Sequence, residues 1–194
     1  MSERIGIFGG TFDPPHIAHL IAAQAIHEQL GLDRVLLVPA AVPPHKRDQE
    51  ISSGAARLAM VEAAIGSDER FTVSDLELRR GGPSYTVDTL RALKEVHPDA
   101  ELFLAVGADQ LAEFGSWKDP DGIVGLATLV TFARAGRPPE PDGDWPVKPV
   151  DVPKMDISST DLRRRVAEGK SIKFLVPQEV ELVIRFEGLY QDAG

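Results

Sequence analysis

A short apolar run, Ile5-Gly6-Ile7-Phe8, leads straight into Gly9-Gly10-Thr11-Phe12-Asp13-Pro14-Pro15-His16-Ile17-Ala18-His19, and apolar side chains then recur at helical spacing as far as Ile26. The order is buried strand, glycine turn, helix start. No other stretch limits the fold as strongly, because an open α/β sheet uses this unit to bring an anion to a helix N-terminus. Adjacent glycines let the backbone pass close to a ligand with no Cβ in the way. Proline suits the first turn of a helix, where its missing N–H would have no partner. Asp13 is placed to cap that helix. The N–H groups at the helix start and the positive end of its dipole then favour a negative group. His16 and His19, three residues apart, fall on one face of the first turn and add imidazole donors.

Strands and helices alternate along the rest of the chain. Arg34–Pro39 reads as a second buried strand, Gly54–Ile65 as a helix with Leu58, Val61, Ala64 and Ile65 inward, and Phe71–Val73 as a short strand. Ser84–Val96 reads as a helix ending before Pro98, with Ser84 or Thr86 as its cap. Glu101–Gly107, Ala127–Ala133 and Val147–Val150 read as further strands. Near the C-terminus, Pro177 opens a helix whose Val180, Leu182, Val183 and Ile184 pack inward. Strands joined through helices imply a doubly wound, mostly parallel sheet of the Rossmann-like kind, in one domain over residues 1–194. Ligands in such sheets bind beyond the strand C-termini.

Other segments carry chemistry at those strand exits. Pro43-Pro44-His45-Lys46-Arg47 sets three cationic side chains on a stiff loop; a solvated turn and a phosphate contact are both open readings. In Ile157-Ser158-Ser159-Thr160-Asp161-Leu162-Arg163-Arg164-Arg165, Ser158 and Asp161 fit a capping box. Arginines in early helical turns oppose the dipole unless an anion offsets them, and hydroxyls with N–H groups and arginine suit a triphosphate. A plain capped surface helix is the other reading. Trp117 offers either a buried ring or a flat face to an aromatic ligand.

The chain of 194 residues carries a net charge of −9, which argues against a general nucleic-acid or membrane-surface binder. It has no cysteine, so disulfides, thiolate catalysis and thiolate metal sites are excluded. The two histidines suggest a zinc pair, but a third ligand in an H-E-x-x-H arrangement is missing. Neither G-x-G-x-x-G nor a Walker A loop occurs. A membrane-length apolar run is absent as well, and the cytoplasm is the expected compartment. A homo-oligomer is compatible with all of this.

The glycine–histidine segment resembles the signature of the nucleotidyltransferases that move adenylyl or cytidylyl groups, and most resembles the bacterial nicotinate-mononucleotide adenylyltransferase branch. Ile157-Ser158-Ser159-Thr160 with Arg163, Ser84-Tyr85-Thr86 with Thr89-Leu90, and Gly107-Ala108-Asp109 with Trp117 are similar to further motifs of that family, in the same order. Ala18 stands where the family usually has glycine, and one methyl in a helical position is expected to be tolerated. The resemblance implies adenylyl transfer from ATP to nicotinate mononucleotide, with Mg²⁺ accompanying ATP and no metal bound by the protein itself. It implies His16 and His19 as catalytic. It implies Gly9, Gly10, Thr11, Phe12, Lys46, Ile157, Ser158, Ser159, Thr160 and Arg163 around ATP, and Gly107 and Asp109 at a ribose. Thr86, Trp117, Lys118 and Arg134 fall to the mononucleotide. The alternatives are another acceptor (nicotinamide mononucleotide or phosphopantetheine), a noncatalytic nucleotide sensor, and a metal-dependent hydrolase built on the histidines.

Overall fold

The computed structural model describes residues 2–43, 51–132 and 143–191. Six strands form one sheet: β1 (Arg4–Gly10), β2 (Arg34–Pro39), β3 (Phe71–Val73), β4 (Glu101–Gly107), β5 (Ala127–Phe132) and β6 (Val147–Val150). Their spatial order is β3-β2-β1-β4-β5-β6. Every pairing is parallel, so the sheet is more uniform than the expected "mostly parallel". Strands of such a sheet are buried on both faces, which is why β1, β2 and β4 read as continuous apolar runs.

Eight α-helices connect or flank the strands among the described residues: α1 (Ile17–Leu30), α2 (Gly54–Ile65), α3 (Leu76–Arg80), α4 (Thr86–Val96), α5 (Ala108–Leu111), α6 (Pro120–Leu126), α7 (Ser159–Ala167) and α8 (Gln178–Phe186). One apolar layer joins Ile5, Ile7, Leu36, Val38, Leu102 and Leu104 to Val87, Leu90 and Leu93 of α4 and to Ile123 of α6. The opposite layer joins Phe8, Leu37, Phe103 and Val130 to Ala22, Ala23 and Ile26 of α1. A third cluster packs Met60 of α2 against Leu162 of α7 and Val180 and Ile184 of α8. The inward face of α2 is broader than expected: Val61, Ala64 and Ile65 do pack inward. Ala56, Arg57, Met60 and Val61 are buried, whereas Leu58 is only half-buried, because α2 must meet both the sheet and α8. Leu182, expected inward, is exposed on the outer side of α8.

The connection from β1 runs through α1 to β2 on one side of the sheet, while β4 lies on the other side of β1. The strand order therefore reverses between β1 and β4, and a crevice opens at their C-terminal ends.

Candidate active site

The end of β1 reaches this crevice with two glycines that have different duties. A Cβ on Gly10 would come within 3.0 Å of the Phe12 ring, so the close approach of that ring requires glycine. A Cβ on Gly9 would meet nothing within 4 Å, and Gly9 faces open space. Phe12 turns back into the core with a left-handed backbone (φ 51°) and is 2% exposed. Its ring supports the site from beneath and leaves only its backbone for ligand contact.

The helix after the turn starts later than expected. Its N-cap is His16, and Pro14 and Pro15 precede it instead of occupying its first turn. Asp13 does not cap it. That carboxylate is buried, with Oδ1 accepting from the Tyr190 hydroxyl (2.5 Å) and Oδ2 from the Ser52 backbone N–H (3.1 Å). The cap is built by the histidines themselves. The His16 N–H donates to Nδ1 of His19 (3.2 Å), and the His19 N–H donates to the His16 carbonyl (2.9 Å). The two rings stack with centroids 3.7 Å apart, and Phe12 and Phe8 touch the His19 ring edge-on at 5.2 and 6.1 Å. Because Nδ1 of His19 accepts, the neutral ring carries its proton on Nε2, which becomes a donor of fixed direction.

The start of α7 closes on this loop from the far end of the sequence. Ser158 is its N-cap and accepts from the Asp161 N–H (3.1 Å), as the capping pattern predicts. The Ser159 hydroxyl donates to the Pro14 carbonyl (2.9 Å) and the Arg163 guanidinium to the Asp13 carbonyl (2.8 Å). Thr160 is exposed beside Arg163, and Ile157 leans on the cluster of Met60 and Leu162. Arg164 pairs with Asp161 at the surface, and Arg165 holds the Ser171 carbonyl, so neither joins the loop.

On the other face of the sheet lies a cavity of about 180 Å³, lined by Gly9, Gly10 and Thr11 on one side and by Thr86, Trp117 and Lys118 on the other. Thr86 is the first residue of α4. Tyr85 is the N-cap, and neither Ser84 nor Thr86 performs that duty. Ser84 instead accepts from the Ala41 N–H (2.8 Å), which ties the exit of β2 to the cavity rim. Lys118 is drawn to Asp88 (2.8 Å) and lies over the Tyr85 ring. Trp117 rests on Phe114 with centroids 5.3 Å apart.

Three features are not evident in the sequence. Glu77, 7% exposed, lines the cavity and accepts from the Thr89 hydroxyl (2.5 Å), which in turn accepts from Arg80 (3.1 Å). The five-residue α3 that carries Glu77 is too short to show periodicity. Gln110 also lines the cavity, whereas Gly107, the N-cap of α5, and the exposed Asp109 lie at the β4 exit outside that lining. Arg57 is wholly buried and donates to the carbonyls of Ser52, Thr11 and Ala41 (3.0, 3.0 and 3.4 Å). Lys46, with its neighbour His45, and Arg134 fall outside the described residues.

The crevice thus has two halves that share Gly9–Thr11. One is the cavity beside Trp117, and the other gathers hydroxyls, N–H groups, imidazoles and a guanidinium. Together with the parallel sheet they define a nucleotide-handling α/β enzyme. The profile of the family described as cytidylyltransferase-like matches residues 7–165. A Thermus thermophilus protein named probable nicotinate-nucleotide adenylyltransferase is 50% identical over 97% of this chain and 100% of its own. One of the same name from Geobacillus thermodenitrificans is 42% identical over 96% and 86%. The solved structure of Plasmodium falciparum nicotinic acid mononucleotide adenylyltransferase complexed with NaAD superposes with a TM-score of 0.80, covering 97% of both chains at 22% identity, and so shares the fold. The chain belongs to the cytidylyltransferase-like family, in its nicotinate-nucleotide adenylyltransferase branch.

Proposed function

We propose that this enzyme transfers the adenylyl group of ATP to nicotinate mononucleotide, releasing pyrophosphate and forming nicotinate adenine dinucleotide. The observation that carries the reading is that Gly9–Thr11, which line the cavity, run directly into the loop held by the histidine pair, Ser159 and Arg163. An acceptor nucleotide in the cavity and ATP along the histidine loop would bring a 5′-phosphate oxygen up to the α-phosphorus. That oxygen attacks in line; the bond from the α-phosphorus to the bridging oxygen breaks, and pyrophosphate leaves with the electron pair. The nucleophile belongs to the substrate, so the protein contributes position and charge.

In this reading the Nε2–H of His19 meets the charge that builds on the α-phosphate, and His16 supports it through the stack. The N-terminus of α7, Ser159 and Arg163 hold the remaining phosphates, together with Lys46. Thr86 and Trp117 receive the pyridine ring, with Lys118 and Arg134 at its phosphate side, and Gly107 and Asp109 take a ribose. Among the described residues no group of three or more His, Asp or Glu is arranged to hold a metal ion. Magnesium would accompany the triphosphate, as the resemblance implies, and would neutralise part of its charge. The reading keeps the cytoplasm as the proposed compartment. No helix among the described residues is long and apolar enough to cross a membrane.

The test is pyrophosphate release from ATP with nicotinate mononucleotide, nicotinamide mononucleotide and phosphopantetheine in parallel. The expected result is a kcat/KM for the acid at least tenfold above the others. A preference for either alternative would overturn the acceptor, and ATP binding without pyrophosphate release would overturn the reaction.

A further inference from the structure

Arg57 is 1% exposed, and taking a guanidinium out of water is costly unless its donors are satisfied. All three of its acceptors are main-chain carbonyls in loops. Thr11 follows β1, Ala41 follows β2, and Ser52 precedes α2. A cation serving only to bind α2 to the sheet would find its partners on a strand. These partners instead lie on the two loops that frame the crevice, and Thr11 itself lines the cavity.

Asp13, just beyond Thr11 in the chain, has a matching role. Its carboxylate is held by the Tyr190 hydroxyl and the Ser52 N–H, and its own carbonyl by Arg163. Tyr190 lies beyond α8, 177 positions from Asp13, with a left-handed backbone (φ 63°) and its hydroxyl also near Met60. Burial, with the Asp13 carboxylate beside it, pushes the Tyr190 phenol above its ordinary value and keeps it a donor. Burial lowers the Arg57 pKa from its ordinary value, and the Asp13 carboxylate nearby opposes that shift. The loop Thr11–His16 is thus gripped at Thr11 and at both ends of Asp13, immediately before the histidine pair.

We propose that Arg57 and Tyr190 are positioning residues: they set the Thr11–His16 loop so that the His16–His19 stack meets the nucleotide, which makes the C-terminal tail a member of the active-site frame. The proposal rests on the adenylyl-transfer reading for its kinetic arm alone. Neither residue touches the reacting atoms; both act through the loop.

Tyr190→Phe removes one hydroxyl and keeps the ring, and Arg57→Lys keeps the charge but loses the fork that reaches three carbonyls. A misplacement of about 1 Å can cost about a hundredfold in rate. The expected fall in kcat is therefore about tenfold for Tyr190→Phe and about a hundredfold for Arg57→Lys, with the KM for each substrate within about twofold of wild type. The ring resonances of His16 and His19, assigned among the five histidines by single substitutions, should shift in Tyr190→Phe while the other three stay. A purely structural role would lower the melting temperature and leave kcat per folded molecule unchanged, and that result would overturn the proposal. Unmoved His16 and His19 resonances in Tyr190→Phe would also overturn it. If Arg57→Lys fails to fold, Tyr190→Phe decides alone. If the wild type transfers no adenylyl group to any acceptor, the functional reading falls, and the resonances still decide the loop proposal.

Discussion

Substituting His19 separates support of the loop from support of the reaction, because its two ring nitrogens do different things. Nδ1 accepts the His16 N–H, while Nε2–H is the donor assigned to the α-phosphate. His19→Ala removes both. It leaves a partly buried N–H without its acceptor, which costs about 1–3 kcal/mol, and it removes a ring stack with His16 worth about 0.5–1.5 kcal/mol. Against a typical stability of about 5–15 kcal/mol the protein remains folded but weakened. His19→Asn puts a carbonyl oxygen where Nδ1 stood, so the N–H keeps an acceptor and only the ring stack, about 0.5–1.5 kcal/mol, is lost. Neither variant retains the Nε2–H. Losing a preorganised donor to an oxyanion costs about 10²–10³ in kcat, or about 2.7–4 kcal/mol. The expected pattern is two melting curves that differ and two kcat values that agree, both at least a hundredfold below wild type. Saturating pyrophosphate-release kinetics and thermal melts read it directly. A His19→Asn enzyme within about threefold of wild-type kcat would refute the reasoning.

Gly9→Val should leave the melting temperature unchanged or slightly raised, since its side chain enters open space and glycine in a strand is unfavourable by about 0.5–1 kcal/mol. The same variant should raise the acceptor KM at least about tenfold, and an unchanged KM would show that the cavity is not the acceptor site. Trp117→Ala should weaken the mononucleotide about tenfold with little effect on the KM for ATP; equal titration curves for the two proteins would place the pyridine ring elsewhere. Hydrogen bonds from Arg70 hold the Asp68 carboxyl down to about 2, below its ordinary 3.8. Its contribution is therefore present above about pH 4 and is lost as pH falls towards 2. The pair is partly exposed, so Asp68→Asn should cost under about 1 kcal/mol at neutral pH. Urea melts should show that gap closing on acidification, and a gap that widened would contradict the sign.

Much of the architecture is legible in the chain because strands buried on both faces must be apolar throughout, as β1, β2 and β4 are. The paired motifs of the cradle are legible for a related reason: glycine turns, capping hydroxyls and early-turn arginines are local chemistry. What the chain hides depends on distant partners. Asp13 looks like a cap until Tyr190, at the other end of the sequence, claims one oxygen and Ser52 the other. Arg57 carries no signal of its own in the chain, since nothing in its neighbourhood announces that three carbonyls from two loops will close around it. Glu77 and the short helices α3 and α5 offer too few turns for a period to emerge.

The reversal of strand order at β1 also divides the labour of inheritance. The pocket proposed for the incoming nucleotide is drawn largely from residues 77–118, and the proposed phosphate cradle from 11–19 and 157–163. Only the glycine hinge between them is common property. A descendant could exchange one clientele for another by rewriting the middle of the gene, leaving the machinery for its energy-rich donor untouched.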